Sequence, residues 1–156
     1  MALRPYTAAD AAAVANIFRR AIAAIGARDY SAEQCAAWAG PPDDDGSRLD
    51  ARLSDGRLAL VAVDAGGRVV AFGDLEDDGH IDFLYAAPEA AGTGVAAGLY
   101  AALEAAGRAK GLTRLYSEAS EAARRFFLKR GFTVLHRRDF DVRGVAIHNY
   151  AVEKKL

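Results

Sequence analysis

The sequence feature that points most directly to chemistry is a glycine-rich turn between a predicted strand, residues 80–86, and a predicted helix, residues 94–110. Gly92 and Gly94 bracket Thr93 immediately before the helix. Residues without side chains let an anion approach the free backbone N–H groups of a helix start, and the helix dipole favours negative charge there. The turn therefore predicts a phosphate-binding site, with a plain structural turn as the alternative.

Two nucleotide-binding motifs compete for this turn. A Walker P-loop requires Lys followed by Ser or Thr after its second glycine, but Val95 and Ala96 stand there, so that motif is excluded. A dinucleotide fingerprint is closer, because residues 92–97 satisfy G-x-G-x-x-A and Glu118 follows at about the spacing of a ribose-binding acid. Residues 88–91 separate the strand from the first glycine, however, and too few residues follow Glu118 for a wound parallel sheet. An NAD-type protein is therefore the weaker alternative.

Composition excludes several classes of protein. The chain has 156 residues, 52% hydrophobic and 26% charged, which fits one domain spanning 1–156. A net charge of -1 gives no overall electrostatic reason to bind nucleic acid or an anionic membrane. One cysteine, Cys35, and three histidines without ligand spacing predict neither a disulfide nor a metal site. Polar residues interrupt the Ala-rich stretch 8–27, so we expect a soluble helix there and a cytoplasmic protein.

Hydrophobic periodicity places the turn within an α+β arrangement. Strands are predicted at 3–5, 58–63, 69–75, 80–86, 114–117, 132–140 and 145–153. Helices are predicted after the N-cap residues Thr7, Ser31 and Ser120 and at 94–110, with a helical turn at 47–54. We expect a mixed, mostly antiparallel sheet of about seven strands, flanked by about four helices, with one crossover through the helix that follows the turn.

Two blocks of the sequence resemble the GNAT N-acetyltransferases, and in particular a small bacterial branch of that family. Gly94 and Ala96 match the last two fixed positions of the family's acyl-CoA pyrophosphate loop, Gln/Arg-x-x-Gly-x-Gly/Ala. Residues 120–132 match four of the six fixed positions of the second block, Asn-x-x-Ala-x-x-Phe-Tyr-x-x-x-Gly-Phe. The predicted element order also agrees. The resemblance therefore covers essentially the whole chain and implies a GNAT-like acyl-CoA N-acyltransferase fold with acetyl-CoA as co-substrate.

The resemblance also implies a set of cofactor-binding residues. The strand backbone pairs with the pantetheine arm where it splays from the next strand, the turn amides hold the pyrophosphate, and the second block contacts the pantetheine or a CoA phosphate. These residues are Leu84, Tyr85, Ala86, Gly92, Thr93, Gly94, Val95, Ala96, Ala97, Ser120, Arg124 and Phe127. Ala91 and Thr93 stand where the family often has charged or polar side chains, so the loop has lost charge. For Arg124 the alternative is an ordinary solvated helix face.

Acetyl transfer to an amine needs a proton acceptor for the ammonium group and a proton donor for the departing thiolate. His80 lies at the offset of a Glu base known in some family members, and its unperturbed pKa of about 6.5 suits that role. Asp82 shares its strand face. Phe127 replaces the family's thiolate-protonating Tyr, so water, the substrate ammonium or another hydroxyl, such as that of Tyr116, Tyr85 or Ser120, would take over. The predicted catalytic residues are His80, Asp82 and Tyr116.

Together these patterns predict an N-acetyltransferase that moves an acetyl group from acetyl-CoA to a primary amine of a small molecule or peptide in a ternary complex. Acidic residues within 74–82 favour a cationic acceptor. By resemblance, we expect a homodimer through the last strands. Because Phe127 cannot donate a proton, a non-catalytic acyl-CoA-binding or regulatory module is the alternative.

Overall fold

Seven strands in two sheets and five α-helices make up the computed structural model, which describes residues 1–156. The strands are β1 (Ala2–Pro5), β2 (Leu58–Val63), β3 (Val69–Leu75), β4 (Leu84–Ala86), β5 (Arg114–Ala119), β6 (Thr133–Val142) and β7 (Val145–Lys155). The helices are α1 (Ala11–Ala24), α2 (Ala32–Ala39), α3 (Ser47–Leu53), α4 (Val95–Ala109) and α5 (Glu121–Leu128). The α+β class is confirmed. The expected sheet is divided into β1-β2-β3-β4 and β5-β7-β6, and the predicted helical turn forms a fifth helix, α3.

The two sheets meet at one point, between the residues that lead into β4 and the middle of β5. His80 and Tyr116 form an isolated parallel bridge, and the Ile81 N–H donates to the Tyr116 carbonyl at 2.9 Å. Beyond this bridge the two backbone segments diverge. The strand predicted at 80–86 is therefore regular only from Leu84. The physical reason is the carboxylate of Asp74, whose Oδ1 accepts the backbone N–H groups of Asp82 at 2.9 Å and Phe83 at 2.6 Å. These amides are therefore taken out of the strand ladder.

Side-chain caps fix the helices that border this divergence. The Ser31 hydroxyl accepts from the Gln34 N–H, and the Gln34 side chain accepts from the Ser31 N–H, which forms the predicted capping box of α2. Ser120 Oγ accepts from the Ala123 N–H at 3.2 Å and starts α5 directly after β5. The first predicted helix begins with a 3-10 turn, so regular α1 starts at Ala11.

Helix α4 packs against both sheets and connects their cores. Its Leu99 is buried with Val61 and Phe72 of the first sheet, whereas Leu103 is buried with Leu115 of the second. The helix thereby holds its own N-terminus above the place where β4 and β5 separate. No helix of the structure combines the length and the apolar character needed to cross a membrane.

Candidate functional site

A cavity of about 850 Å³ occupies the space opened by the divergence of β4 and β5. All three residues of β4, Leu84, Tyr85 and Ala86, line it. On one side β4 pairs with β3, where Tyr85 lies opposite Phe72, and its other edge has no strand partner. The cavity is therefore bordered by backbone groups that are free to pair with an extended ligand.

The glycine-rich turn forms another part of the cavity wall, through Gly92 and Ala96. Gly92 and Gly94 have positive φ angles of 77° and 87°, a conformation that disfavours any residue with a Cβ. The first intrahelical donor is the Gly98 N–H, which bonds the Gly94 carbonyl at 3.0 Å. The amides of residues 95–97 therefore have no acceptor within the helix, and they lie at the positive end of its dipole. This arrangement suits a phosphate group.

Helix α5 contributes two of its three predicted cofactor residues to the cavity. Ser120 and Phe127 line the cavity, whereas Arg124 does not. The Arg124 guanidinium donates to Glu121 at 3.2 Å and lies 4.5 Å from the centre of the Tyr150 ring. Arg124 is therefore bound to its own helix and to β7 rather than extended toward the glycine turn.

His80 lies outside the lining of the cavity and has carboxylates on both ring nitrogens. Nε2 lies 2.8 Å from Glu118 Oε1, and Nδ1 lies 2.7 Å from Glu76 Oε1. The hydrogen bond to Glu118, reinforced by the one to Glu76, raises the pKa of His80 to about 9. The ring is then an imidazolium at neutral pH, with both N–H groups donating. This geometry favours a structural cation over the general base that the sequence predicts.

Tyr116, the third predicted catalytic residue, also faces away from the cavity. Its ring stacks on His80 with 4.8 Å between centroids, and its hydroxyl donates to Asp78. That hydrogen bond raises the pKa of Tyr116 to about 12. Two other hydroxyls, those of Ser120 and Tyr85, belong to residues that do line the cavity. They are better placed to donate a proton to a bound ligand.

Asp82 lines the cavity but is bound by two arginines. Its Oδ2 accepts from Arg52 Nη2 at 2.8 Å and from Arg57 Nη1 at 3.0 Å. The same Arg57 nitrogen lies 2.6 Å from Asp74 and 3.6 Å from Glu76. The guanidinium fills the space among these three carboxylates, whose oxygens lie within 4.8 Å of one another. Burial raises the pKa of Asp74, whose side chain has no exposed surface, to about 6.

Three cavity residues are absent from the predicted acetyltransferase site, although the sequence suggests one of them, Glu118, as a ribose-binding acid. Glu118, Arg138 and Asn149 come from β5, β6 and β7 and all line the cavity. Arg138 Nη1 donates to Asn149 Oδ1 at 3.0 Å. Strand alternation could have placed Arg138 and Asn149 on inward faces, but only the sheet order puts β7 between β5 and β6 and brings all three together.

One family model and several known proteins are similar to this chain. A family model described as an acetyltransferase (GNAT) domain matches residues 26–154. The uncharacterized N-acetyltransferase YafP of Escherichia coli (strain K12) is 28% identical over 153 residues, which are 98% of this chain and 95% of that protein. A solved structure from Rhodopseudomonas palustris, described as a GCN5-related N-acetyltransferase, aminotransferase class-II, is 41% identical with a TM-score of 0.91, covering 99% and 95% of the two chains. PaiA N-acetyltransferase of Thermoplasma acidophilum, solved with coenzyme A, is 19% identical with a TM-score of 0.74, covering 99% and 98%, which is a likeness of fold alone.

Proposed function

Because the chain belongs to the GNAT acetyltransferase family, we propose that it transfers the acetyl group of acetyl-CoA directly to the primary amine of an acceptor within a ternary complex. The observation that carries this proposal is the unpaired edge of β4 next to the glycine turn. An acyl-CoA has an extended amide-bearing arm attached to a pyrophosphate. The free edge of Leu84–Ala86 fits the arm, and the amides of residues 95–97 fit the pyrophosphate. The coenzyme A bound to the Thermoplasma protein supports a cofactor of this type.

The reaction would gain most of its rate from orientation and backbone electrostatics. The neutral amine attacks the thioester carbonyl carbon, and the oxyanion that develops is stabilised by free backbone N–H groups on the open edge of β4. Collapse of the tetrahedral intermediate breaks the C–S bond and releases the CoA thiolate. The proton that the nitrogen loses on becoming an amide replaces the one that a hydroxyl gives to the thiolate. We assign the proton donor to the hydroxyl of Ser120 or Tyr85, because Phe127 has none and Tyr116 is bound to Asp78. The other two hydroxyls in the lining, those of Tyr30 and Ser117, donate to backbone carbonyls.

Glu118 is the carboxylate that we assign to the substrate ammonium group. Asp82 already accepts from two arginines, whereas Glu118 has a single cationic partner, His80. The hydrogen bond from His80 lowers the pKa of Glu118, which keeps this carboxylate ionised at neutral pH. An ionised Glu118 can hold the ammonium group and accept one of its protons. That proton then passes to water before the neutral amine attacks.

A binding experiment with one variant and one matched control tests the cofactor site. Ala96→Glu puts a carboxylate at the helix N-terminus, where it favours the helix but repels a pyrophosphate. Ala105→Glu puts the same charge on an exposed position of the same helix. We expect calorimetry to show that Ala96→Glu reduces the affinity for acetyl-CoA by about 10-fold or more, which is a loss of about 1.4 kcal/mol or more in binding free energy. The affinity of Ala105→Glu should be unchanged. Equal affinity of the two variants would refute the proposed site.

Turnover separates an enzyme from a binding module. Phe127 is only 2% exposed and packs on Phe132 with 4.6 Å between ring centroids, so the position of the family's tyrosine has become part of the core. This observation favours the second candidate function, an acyl-CoA-binding module without catalysis. CoA release from acetyl-CoA in the presence of a broad amine panel supports the enzyme. Acetyl-CoA binding without amine-dependent CoA release supports the module.

A further inference from the structure

Every carboxylate that lines the cavity has a cationic partner, whereas most of the arginines there have no anionic one. Its four carboxylates all have cationic partners within the protein: Asp29 with Arg125, Asp43 with Arg48, Asp82 with Arg52 and Arg57, and Glu118 with His80. Of its six arginines, four make no ion pair: Arg19, Arg28, Arg138 and Arg143. His148, which also lines the cavity, is bound to Glu121. The cavity therefore has a surplus of positive charge, the opposite of what the acidic stretch 74–82 predicts for the acceptor.

Arg138 is the unpaired arginine best placed to bind a ligand. Arg19 and Arg143 already donate to backbone carbonyls, at 2.8 Å and 2.7 Å, and Arg28 is exposed. Arg138 is half-buried, and its one hydrogen bond, to the neutral amide of Asn149, fixes the plane of the guanidinium. The remaining N–H groups form a fork that matches a planar carboxylate.

Sheet register places Arg138 and Glu118 on one face. Glu118 pairs with Ala151, and Arg138 pairs with Asn149, which is two residues away from Ala151 on the same strand and therefore faces the same side. Two strand spacings and this offset put the Cα atoms of Glu118 and Arg138 on the order of 12 Å apart. Two long side chains close most of that distance. The space between their charged groups fits a compound whose positive and negative groups are separated by only a few bonds.

These contacts assign a class of acceptor. Building on the acetyl transfer proposed above, we propose that the acceptor is an α-amino acid or a close analogue, with its ammonium group at Glu118 and its carboxylate at Arg138. The side chain of the amino acid faces the apolar part of the wall, where Phe18, Trp38 and Phe140 lie. The turn at the N-terminus of α4 supplies no charged side chain to the cavity. The unpaired arginines are therefore available to the acceptor, and the backbone amides of the turn are available to the cofactor.

Matched substrates test the carboxylate directly. Each common L-amino acid is compared with its α-amide, which keeps the amine and the side chain and loses only the negative charge; decarboxylated amines and spermidine complete the panel. We expect the best amino acid to exceed its amide by about 10–100-fold in kcat/KM, as for a lost charge-assisted hydrogen bond. Arg138→Met raises KM for the amino acid by a similar factor and changes kcat little. It leaves the amide unaffected.

The control is Arg137→Met on the same strand. Arg137 is exposed and pairs with Asp139 at 3.0 Å, so its loss should change neither parameter. Amides, decarboxylated amines or spermidine turned over as fast as the best amino acid, or an Arg138→Met variant that keeps the wild-type KM, would overturn the assignment while leaving acetyl transfer intact.

Binding keeps the two proposals separable. Calorimetry with amino acids and amides is run on the free protein and on the protein saturated with CoA. If no amine is acetylated yet amino acids bind better than amides and require Arg138, the proposed transfer fails while the assignment of an amino acid as the ligand at Glu118 and Arg138 holds. If no amino acid binds and none is acetylated, the assignment fails.

Discussion

Replacement of His80 tests whether this residue acts as a base or as a fixed cation. The ring is enclosed by Glu76 and Glu118, which raise the pKa of His80 to about 9. His80→Asn removes the cation, which leaves Glu118 without its cationic partner and Glu76 with Arg57 alone. If His80 were the general base, this variant would abolish the low-pH limb of the rate profile. Because the imidazolium does not accept a proton near neutral pH, we expect a low-pH limb to remain in the variant, moved toward higher pH because Glu118 loses the hydrogen bond that lowers its pKa.

The structure also gives a magnitude and a sign for stability. Moving the pKa from 6.5 to about 9 corresponds to at most about 3.4 kcal/mol at 1.36 kcal/mol per unit. Both carboxylates are about one-third exposed, so water weakens the pair, and we expect about 1–2 kcal/mol. A raised histidine pKa means that the folded protein binds the proton more tightly than the unfolded chain. The contribution is therefore fully present below pH 6.5 and is lost as the pH rises through 9.

The assay is urea denaturation of the wild type and His80→Asn at pH 6, 7.5 and 9.5, together with an NMR titration of the three histidines. The free energy of unfolding should differ most between the two proteins at pH 6 and least at pH 9.5. His136→Asn, at an exposed position on β6, is the control and should show no such pH-dependent difference. A His80 pKa at or below 6.5, or a difference that does not shrink with pH, would refute the reasoning.

Two further changes probe the parts that shape the cavity. Asp74→Ala leaves the guanidinium of Arg57 and two backbone amides without their buried acceptor, and we expect a loss of about 3–5 kcal/mol in urea denaturation. Asp77→Ala, at a side chain 89% exposed, should cost less than about 0.5 kcal/mol, and equal costs would contradict the role of Asp74. Gly94→Ala and Gly111→Ala both place a Cβ at a positive φ, 87° and 77°, with open space around it. Each should cost about 1–2 kcal/mol, but only the first should weaken acetyl-CoA binding in calorimetry, and a matching loss in the second would argue against the turn as the cofactor site.

Local signals in the sequence were sufficient for most of the fold. The bounds of β2 and β3 agree with the predicted runs 58–63 and 69–75, because apolar runs bounded by polar and glycine residues have few other solutions. The caps at Ser31 and Ser120 form as predicted, since each depends only on residues three positions away. The divergence of β4 from β5 was expected only through the family resemblance.

Partners that are distant in sequence account for what could not be predicted. Glu118, the residue that most perturbs the pKa of His80, lies 38 positions away from it in the sequence. Arg57 joins Asp74 of β3 to Asp82 in the segment before β4, at sequence separations of 17 and 25 residues. A residue type shows what chemistry a side chain can do. Which neighbour engages it depends on sheet order, which the sequence pattern does not specify.

The ion pairs behind β4 also explain why the cavity is basic. Asp74 pulls two backbone amides out of the ladder and thereby opens the gap, and Arg57 offsets the burial of its charge. The same guanidinium binds Asp82, and His80 binds Glu76 and Glu118. The acidic residues of the stretch 74–82, which the sequence assigns to the acceptor, are thus residues that hold the gap between β4 and β5 open. An acceptor entering the cavity meets the unpaired Arg138 as its main charge, with Glu118 as the nearest anion on the same sheet face, so an acceptor with one charge of each sign fits better than a polycation.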